Sequence, residues 1–299
     1  MWQLEKESIK QMKINGKTKV CGLIGYPIGH TMSPVIHNNL AEIYGHNLVY
    51  VPLQVEQGKL KAAIKGADAY DFLGMNVTVP YKTEVIQYLQ EIDPLAESIG
   101  AVNTLVRTDG GYKGYNTDMP GLYRAMLSDG IVIEVREVII LGAGGVARAV
   151  AILLLQKKAK RIHIMNRTRE KAQMIAEEIN RKAEAEVCMA YDLDGYTKLD
   201  KSCKYLAVQA TNVGMYPETD KAVIEDTEFY QMIEYGYDLI YNPGQTKFMK
   251  YVINAGGKSF NGLKMLLYQG IIANELWNGI SIPEETALII YEKLKKELA

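Results

Sequence analysis

The sequence predicts an α/β protein with two domains, and three observations lead to this fold class. From Val20 onward, short runs of buried-strand character alternate with stretches of helical periodicity, which is typical of parallel sheets with crossover helices. A hairpin pattern in residues 101–118 interrupts this alternation, which restarts at Met119. The chain has 299 residues, of which 48% are apolar, so it is long enough for two ordinary domains. We expect an N-terminal α/β domain formed by residues 1–118 and 259–299, and a doubly wound domain formed by residues 119–258.

The first half of the chain is predicted to form alternating strands and helices, followed by the hairpin. Ser33 and Pro34 are typical of an N-cap and a first helical residue, and Ile36, Leu40 and Ile43 would form the apolar stripe of that helix. An Asp-Gly-Gly turn between two strand-like arms indicates the hairpin. In chain order, the predicted elements are a strand at 20–25, a helix from Ser33, a strand at 47–55, a helix at 58–67, a strand ending at Val79, a helix at 83–93 and the hairpin at 101–118.

The strand that ends at Val79 is followed by a proline and, just beyond it, by Lys82. Side chains alternate along a strand, so Val77 and Val79 are expected on the buried face, with Asn76 and Thr78 together on the other. A proline cannot donate to the ladder of hydrogen bonds, and the chain is therefore expected to turn there. Two hydrogen-bonding side chains and an amine are thereby gathered at a strand end, where a catalytic base can act. A core strand followed by a solvated lysine is the simpler interpretation.

The second half repeats the alternation of strand and helix. Residues 1–18, by contrast, are polar and charged, and we expect a short extra helix or a tail there, without an assigned function. Pro283 is expected to start the last helix. In chain order, the predicted elements are a helix from Met119, a strand at 138–141, a glycine turn and a helix, a strand at 161–166, another helix, strands at 205–211 and 237–242, and two helices from Gly262 to Ala299.

Composition and charge exclude several classes of function. The 34 basic and 35 acidic residues give a net charge of −1 without a basic block, so neither nucleic acid nor an anionic membrane is favoured as a partner, and a small molecule is expected. Cys21, Cys188 and Cys203 lack CxxC spacing, which disfavours disulfides and a zinc site and indicates a reducing cytosol. No apolar run reaches the about 20 residues of a membrane span, and no secretion signal begins the sequence. We therefore expect a cytoplasmic protein without a metal.

A glycine-rich turn follows the strand at 138–141 and precedes a helix, as a dinucleotide fingerprint requires. Gly142 permits the tight turn, Gly144 lets the backbone approach a pyrophosphate, and Ala147 fills the small position where the helix packs on the strand. A turn that only joins strand to helix is the alternative, but the strand at 161–166 and its flanking helices favour a Rossmann-type cofactor site. The predicted contacts are Gly142, Ala143, Gly144, Gly145, Val146 and Ala147.

The residues after the strand at 161–166 indicate which dinucleotide is bound. An acidic residue at this position accepts hydrogen bonds from the ribose of NAD, whereas an arginine accommodates the additional phosphate of NADP. The chain has Asn166, Arg167, Thr168 and Arg169 here, with no acid before Glu170. Two guanidinium groups and a hydroxyl suit a phosphate dianion, so NADP is preferred and NAD stays possible. Ordinary solvated arginines in a strand-to-helix loop are the alternative.

Eight motifs in fixed order give the chain a resemblance to the shikimate dehydrogenase family, within the shikimate and quinate dehydrogenase superfamily. Together they cover nearly everything after residue 20, and the ordered set is far more specific than any one motif. The relatives that act on quinate share most of them, so the resemblance identifies the superfamily better than the substrate. The motifs are GYPIGHTMSPVIHN at 25–38, NVTVPYK at 76–82, GAVNTLV at 100–106, GYNTD at 114–118, GAGGVA at 142–147, NRT at 166–168, ATNVGM at 210–215 and GLKMLLYQ at 262–269.

The resemblance implies reversible transfer of a hydride between NADPH and 3-dehydroshikimate, giving shikimate in the biosynthesis of aromatic amino acids. It implies Lys82 and Asp118 as the catalytic pair. The implied substrate-binding residues are Thr31, Ser33, Asn76, Thr78, Asn103, Tyr241 and Gln269. Besides the glycine turn and residues 166–169, the implied cofactor-binding residues are Thr211, Val213 and Met215 along the cofactor, and Gly262 and Met265 near the nicotinamide. We expect a monomer or a homodimer.

Two positions depart from the family's pattern. Thr31 stands where the family usually has a serine. Threonine keeps the hydroxyl, but its additional methyl group changes the shape of the pocket, which bears on the choice between shikimate and quinate. Lys171 stands where many members that use NADP have an arginine. A quinate/shikimate dehydrogenase that accepts NAD is therefore one alternative. A ligand sensor without catalysis is another, although the chain keeps both Lys82 and Asp118.

Overall fold

The computed structural model describes residues 14–298, which form two compact units. The first unit contains the described residues up to Asp93, together with Ala101–Tyr115 and the chain from Ala273 onward. The second unit contains Pro94–Gly100 and Asn116–Ile272. The helix or tail expected at the N-terminus lies almost entirely outside the described residues.

Each unit is built on a six-stranded sheet. The strands of the first sheet are β1 (Lys19–Gly25), β2 (Leu48–Gln54), β3 (Gly74–Val77), β4 (Glu91–Ile92), β5 (Thr104–Thr108) and β6 (Gly111–Tyr115). Those of the second sheet are β7 (Glu137–Leu141), β8 (Arg161–Met165), β9 (Cys188–Tyr191), β10 (Tyr205–Gln209), β11 (Ile233–Asp238) and β12 (Lys258–Phe260).

Helices connect most of these strands, as the alternating pattern predicts. The α-helices of the described chain are α1 (Ser33–Tyr44), α2 (Leu60–Ala69), α3 (Pro94–Ile99), α4 (Asp118–Ser128), α5 (Gly145–Gln156), α6 (Arg169–Ala183), α7 (Thr227–Tyr230), α8 (Lys247–Asn254), α9 (Leu263–Asn278) and α10 (Glu284–Leu298). Short 3-10 helices lie at Glu84–Tyr88 and Leu193–Lys198.

The first sheet is mixed, with the strand order β2-β1-β3-β5-β6-β4. β1 pairs in parallel with β2 and β3, whereas β5 and β6 form the antiparallel hairpin that the Asp-Gly-Gly turn predicts. Pro52 lies in β2, and this position suits it because β2 is an edge strand with an unpaired side. The core next to β1 contains Cys21, Leu23, Tyr50 and Trp277, all of which are buried.

The second sheet is parallel throughout, with the strand order β9-β8-β7-β10-β11-β12. The chain runs outward from β7 to β9 and then outward in the other direction from β10 to β12. β7 and β10 therefore flank the point where the strand order reverses, beyond whose carboxyl ends ligands bind in doubly wound folds. The predicted α/β class, with a doubly wound second sheet, is confirmed.

Two observations concern the described chain as a whole. None of the helices between residues 14 and 298 combines the length and the apolar character that crossing a lipid bilayer requires. In the same residues, no group of three or more His, Cys, Asp and Glu side chains is arranged to hold a metal ion.

The prediction for the strand before Lys82 was partly wrong. β3 ends at Val77, and Val79 is 66% exposed rather than part of the buried face. Asn76, which was expected on the face opposite Val77, is only 4% exposed. The reason is that β3 lies inside the sheet between β1 and β5, with both of its faces covered, so alternation of buried and exposed residues does not apply.

Four further predictions need correction. Ser33 does not cap α1, because it already lies in the helix and the N-cap position belongs to Met32. Ile43, near the end of α1, is 43% exposed and does not belong to the core stripe. The segment 83–93 forms a 3-10 helix followed by β4, because Glu91–Ile92 pairs with β6. The strand expected at 237–242 begins earlier and ends at Asp238, whose carboxylate binds the Ile240 N–H in the following loop.

Gly74→Ala is expected to lower the free energy of unfolding by about 2 to 4 kcal/mol. A Cβ at Gly74 would lie 2.1 Å from Nε1 of Trp277 and 2.6 Å from the carbonyl oxygen of Leu105. It would therefore break the bond in which the Trp277 Nε1–H donates to the Leu105 carbonyl at 2.9 Å. Denaturant unfolding measures the loss.

Gly66→Ala in α2 is the matched control, because no atom lies within 4 Å of its Cβ position outside the neighbouring residues of its own helix. We expect this variant to gain about 0.5 to 1 kcal/mol in the free energy of unfolding. Equal stability of the two variants would contradict this packing.

Candidate active site

The carboxyl ends of β7, β8 and β10 lie side by side. Leu141 pairs with Met165 on one side and with Gln209 on the other. The pairing continues past the strands, because the Gly142 N–H donates to the Met165 carbonyl at 2.8 Å and the Ala210 N–H to the Leu141 carbonyl at 2.9 Å. This edge of the second sheet thus brings together three predicted cofactor segments, 142–147, 166–169 and 210–215.

The geometry of the glycine turn fits a bound pyrophosphate. Gly142 has a φ of 116°, and a Cβ there would lie 2.8 Å from Cγ2 of Thr211, so only glycine suits this turn. Gly144 and Gly145, at the start of α5, have no atom within 4 Å of a Cβ position, which leaves their backbone open to a ligand. The unpaired N–H groups and the positive end of the helix dipole favour an anion there. Of the other predicted contacts, Ala147 is buried, Ala143 is half-buried and Val146 is exposed.

The segment after β8 presents two arginines to solvent. Asn166 folds the turn by donating from Nδ2 to the Thr168 carbonyl at 2.8 Å. Arg167, Thr168 and Arg169 are exposed, and α6 begins at Arg169. Exposed guanidinium groups at the same sheet edge as the glycine turn fit the additional phosphate of NADP, because each can form two parallel hydrogen bonds to a phosphate.

The segment after β10 carries Thr211, Val213 and Met215. The Val213 N–H donates to Oγ1 of Thr211 at 3.1 Å, which closes a tight turn. Met215 is 42% exposed, so an apolar side chain is presented to solvent at the end of this segment. Such an arrangement suits contact with the flat faces of a dinucleotide.

Two further predicted residues lie where the loop after β11 meets the start of α9. The Gly262 N–H donates to the Ile240 carbonyl at 3.0 Å, so Gly262 and the first turn of α9, with Met265, lie beside the loop that contains Tyr241. Tyr241 is half-buried, and burial raises the pKa of its hydroxyl. The hydroxyl therefore stays protonated at neutral pH and can donate a hydrogen bond.

In the first unit, the loops that follow β1 and β3 lie side by side. The Thr78 N–H donates to the Ile24 carbonyl at 2.9 Å, and the Tyr26 N–H donates to the Val79 carbonyl at 3.0 Å. The loop after β1 leads to the substrate-binding residues predicted before α1, and the loop after β3 leads to Lys82. Both sets of residues are thus carried by loops at the carboxyl ends of two neighbouring parallel strands, β1 and β3.

Thr31 and Ser33 are linked to each other at the start of α1. The Thr31 hydroxyl donates to Oγ of Ser33 at 3.2 Å, and the Ser33 N–H donates to Oγ1 of Thr31 at the same distance. The Thr31 hydroxyl is therefore bonded to both the backbone and the side chain of Ser33. Burial raises the pKa of the Tyr50 phenol, and a hydrogen bond with the Ser33 hydroxyl opposes this rise.

Asn76 lies at the centre of a buried network of hydrogen bonds. Its Oδ1 accepts from the Tyr50 hydroxyl at 2.8 Å, and its Nδ2 donates to Oγ1 of Thr104 at 3.0 Å and to the Asn103 carbonyl at 3.3 Å. The Thr104 hydroxyl in turn donates to Oδ1 of Asn103 at 3.1 Å. The network fixes the two predicted substrate-binding amides relative to each other.

Lys82 lies in the turn after β3 and is half-buried. Its carbonyl accepts from the Val102 N–H at 2.8 Å, which joins this turn to the residue just before Asn103. The predicted catalytic lysine is therefore attached to the same framework as the two amides.

Asp118 and Gln269 both belong to the second unit. Asp118 is the first residue of α4, where the helix dipole favours a carboxylate. Gly121, one turn later, allows α4 to contact the backbone of α9, because a Cβ there would lie 2.6 Å from the Gln269 nitrogen. Gln269 is only 9% exposed, so it does not lie on the solvent-facing side of α9. Its Nε2 donates to the Leu266 carbonyl at 2.9 Å.

Several residues in these networks were missed by the sequence interpretation. Tyr50 and Thr104 hold Asn76, and Gln209 and Asp238 hold the loops after β10 and β11. The signal available for Gln209 and Asp238 was a polar side chain at the end of an apolar strand, where parallel sheets carry ligand sites. Nothing in the alternating pattern distinguishes Tyr50 or Thr104 from ordinary strand residues.

His37 lies in the core beside the network around Asn76. It is fully buried, and its ring stacks on Tyr50 with a centroid distance of 4.2 Å. Burial lowers its pKa to about 3, because the charged imidazolium is costly in the core. The imidazole is therefore neutral in the folded protein at neutral pH.

His37→Phe is expected to make the protein less sensitive to acid. In the unfolded chain the imidazole binds a proton near its ordinary pKa of 6.5, whereas in the folded protein it does so only near pH 3. The stability contributed by the neutral ring is therefore present above pH 6.5 and is lost as the pH falls towards 3. Between about pH 6 and about pH 4 the wild type should lose about 3 kcal/mol more than the variant.

Denaturant unfolding at a series of pH values measures this difference. Ile36→Val, a core change in the same helix, is the control, since it should lower stability by about 1 kcal/mol at every pH. Parallel pH profiles for the wild type and His37→Phe would contradict the neutral buried ring.

Two family models match the chain. The model of the shikimate dehydrogenase substrate binding domain matches residues 23–105, and the model of shikimate / quinate 5-dehydrogenase matches residues 127–199. The first match covers the network around Asn76 and Lys82, and the second covers the glycine turn and the arginines after β8.

Curated proteins and solved structures agree with these matches. A protein of Carboxydothermus hydrogenoformans named shikimate dehydrogenase (NADP(+)) is 40% identical over 272 residues, which are 91% of this chain and 96% of that protein. A crystal structure of a shikimate dehydrogenase in complex with NADP+ superposes with a TM-score of 0.85 at 38% identity, covering 96% of this chain and 98% of that one. The shikimate 5-dehydrogenase of Listeria monocytogenes, in complex with shikimate and NAD, has a TM-score of 0.85 at 31% identity and covers 96% of this chain and 98% of its own. The chain therefore belongs to the shikimate dehydrogenase family.

Proposed function

We propose that the chain catalyses the reversible, NADPH-dependent reduction of 3-dehydroshikimate to shikimate. The observation that carries this proposal lies at the carboxyl ends of the strands of the second sheet, where an open glycine turn and two exposed arginines fit NADP. The chain is also about 40% identical over most of its length to curated NADP-dependent shikimate dehydrogenases. The enzyme is an oxidoreductase that acts on a CH–OH group, and NADP is its cofactor.

Within this function, we assign residues 1–118 and 259–299 to substrate binding and catalysis, and residues 119–258 to dinucleotide binding. The matched family models support this division, since the substrate-binding model ends at residue 105 and the second model begins at residue 127. The glycine turn and residues 166–169, with Thr211, Val213, Met215, Gly262 and Met265, are the proposed cofactor contacts.

The proposed substrate contacts are the hydrogen-bonding groups held by the networks described above: Thr31, Ser33, Asn76, Thr78, Asn103, Tyr241 and Gln269. Buried amides and hydroxyls that neighbouring groups hold in place favour a polyhydroxylated acid over an apolar ligand, because an apolar surface offers them no hydrogen bond. The buried Asn76 amide is fixed in this way before any substrate binds.

Lys82 and Asp118 are the proposed catalytic residues. When bound, the cofactor would accept a hydride from the carbon that carries the alcohol in oxidation, and it would donate a hydride to the carbonyl carbon in reduction. The protein must then remove a proton from the alcohol oxygen, or deliver one to the carbonyl oxygen. Lys82 carries this proton, and Asp118 shares it and orients the amine.

The test is a comparison of kcat/KM for shikimate and quinate, each with NADP and with NAD, by the absorbance of the reduced cofactor. We expect the largest value for shikimate with NADP. A larger value for quinate with NAD would favour the quinate/shikimate dehydrogenase alternative. Binding of shikimate without any reduction of either cofactor would favour a ligand sensor.

We further propose that the enzyme works in the reducing cytoplasm as a monomer or a homodimer, with small molecules as its partners. The three cysteines support the location, because all of them are free thiols and two are buried. Sedimentation measurements distinguish the two subunit states.

A further inference from the structure

Asp238 is a fully buried acid at the last residue of β11. It accepts three hydrogen bonds from uncharged donors. Its Oδ2 accepts from the Thr246 hydroxyl at 2.6 Å, and its Oδ1 accepts from the Ile240 N–H at 3.0 Å and from Nε2 of Gln209 at 3.2 Å. Burial raises the pKa of this carboxyl to about 6, so the ionised form costs stability at neutral pH. An apolar residue would fill this space at a lower cost in folding free energy. What the carboxylate adds is three hydrogen bonds that hold the surrounding chain.

Gln209 extends the network to the loop after β10. It is the fully buried last residue of β10 and lies directly opposite Asp238 in the parallel register. Its Oε1 accepts from the Thr211 N–H at 2.5 Å, and its Nε2 also donates to the Val213 carbonyl at 3.1 Å. One amide side chain thus holds the start and the middle of the loop 210–215.

Asp238 and Thr246 hold the loop after β11 in the same way. Asp238 binds the backbone at Ile240, the residue before Tyr241, and it binds the Thr246 hydroxyl where the loop ends. Thr246 in turn accepts from the Met249 N–H at 3.3 Å and so caps α8. Both ends of the loop that carries Tyr241 are therefore attached to one carboxylate.

We propose that Asp238, through Gln209 and Thr246, is a positioning residue that holds the loops 210–215 and 239–246 in the arrangement that binds both ligands. This inference rests on the proposed function, in which the first loop contacts NADP and the second presents Tyr241 to the substrate. Asp238 itself contacts neither ligand. It acts on affinity, because releasing either loop removes contacts that are made to the bound ligands, whereas the groups that exchange the proton stay in place.

The test is steady-state kinetics of Asp238→Ala and Asp238→Asn. Alanine removes both acceptor oxygens and with them all three hydrogen bonds, and we expect KM for NADP and KM for shikimate each to rise about 10-fold or more, while kcat falls by less than about 3-fold. Asparagine keeps one oxygen acceptor and the shape of the side chain, so both KM values should stay within about 3-fold of the wild type. A purely structural role would lower the amount of folded enzyme and hence kcat, without this division between KM and kcat.

Asp226→Ala is the matched control. Asp226 also accepts a backbone N–H in the second unit, that of Glu228 at 2.9 Å, together with the Tyr196 hydroxyl, but it caps α7 outside the two loops. This variant should leave both KM values unchanged.

Thr246→Val is the second variant, for use if Asp238→Ala does not fold. It preserves the side-chain shape and removes one of the three hydrogen bonds to Asp238, together with the N-cap bond to the Met249 N–H, so we expect both KM values to rise about 3-fold or more. Wild-type KM values in Asp238→Ala or, if that variant does not fold, in Thr246→Val would overturn the positioning role, as would a loss confined to kcat. Failure of the proposed function is distinct, since it would appear as a wild-type enzyme that does not oxidise shikimate. In that case calorimetric titration with NADPH tests the positioning role of Asp238. We expect Asp238→Ala to bind NADPH more weakly than the wild type, and an unchanged affinity would overturn the role.

Discussion

Lys82→Ala is expected to lower kcat for shikimate oxidation by about 100-fold or more, with KM changed by less than about 3-fold. Alanine removes the amine that, in our proposal, exchanges a proton with the alcohol oxygen. We assign substrate binding instead to the amides and hydroxyls around Asn76, which Tyr50 and Thr104 hold in place. Steady-state kinetics with NADP at saturation measures both constants.

The control for this variant is Lys59→Ala. Lys59 belongs to the first unit, and its exposed side chain pairs with Glu56 at 2.6 Å, so its loss should leave kcat and KM unchanged. A Lys82→Ala enzyme with near-normal kcat would remove Lys82 from the mechanism. Asp118→Asn extends the test, because residues that act as a pair give losses that do not add. The double variant should be little slower than Lys82→Ala alone.

Arg167→Ala is expected to lower kcat/KM with NADP by about 10- to 100-fold and to leave kcat/KM with NAD within about 3-fold. The guanidinium group lies exposed at the carboxyl edge of the second sheet, where it can bind the phosphate that only NADP carries. Its loss therefore acts on one cofactor and spares the other. Kinetics with both cofactors measures the change in preference.

Arg181→Ala is the matched control for the cofactor prediction. Arg181 is an exposed arginine of the same helix, α6, but it lies in the last turn, away from the sheet edge that carries the glycine turn. We expect the ratio of kcat/KM for NADP to that for NAD to stay at its wild-type value. An unchanged ratio in Arg167→Ala would exclude Arg167 as the residue that selects NADP.

Much of the fold could be predicted from the sequence, because alternating strands and helices leave clear patterns. The hairpin was predicted because its Asp-Gly-Gly turn is a local signal, and the helix α5 because it follows the glycine turn. The short edge strands β9 and β12 were not predicted, since pairing at the sheet edges creates them rather than any pattern of their own. β3 was extended too far, because burial on both faces removes the alternation on which the prediction depended.

The candidate site was predictable to the extent that it consists of motifs. The glycine turn and the arginines after β8 are signals in local sequence, and the register of β7 with β8 places the two segments side by side. The buried contacts were not predictable. Tyr50 reaches Asn76 across β1, and Asp238 meets Gln209 from the neighbouring strand, so both contacts depend on strand order, which the sequence does not state.

In the proposed reaction, a hydride passes from shikimate to NADP while Lys82 and Asp118 carry the proton. The hydride transfer can be followed with shikimate that carries deuterium on the carbon of the oxidised alcohol. After incubation of the purified chain with NADP, we expect NMR of the isolated NADPH to show the deuterium on the nicotinamide ring. NADPH without deuterium, or the absence of NADPH, would contradict the assignment.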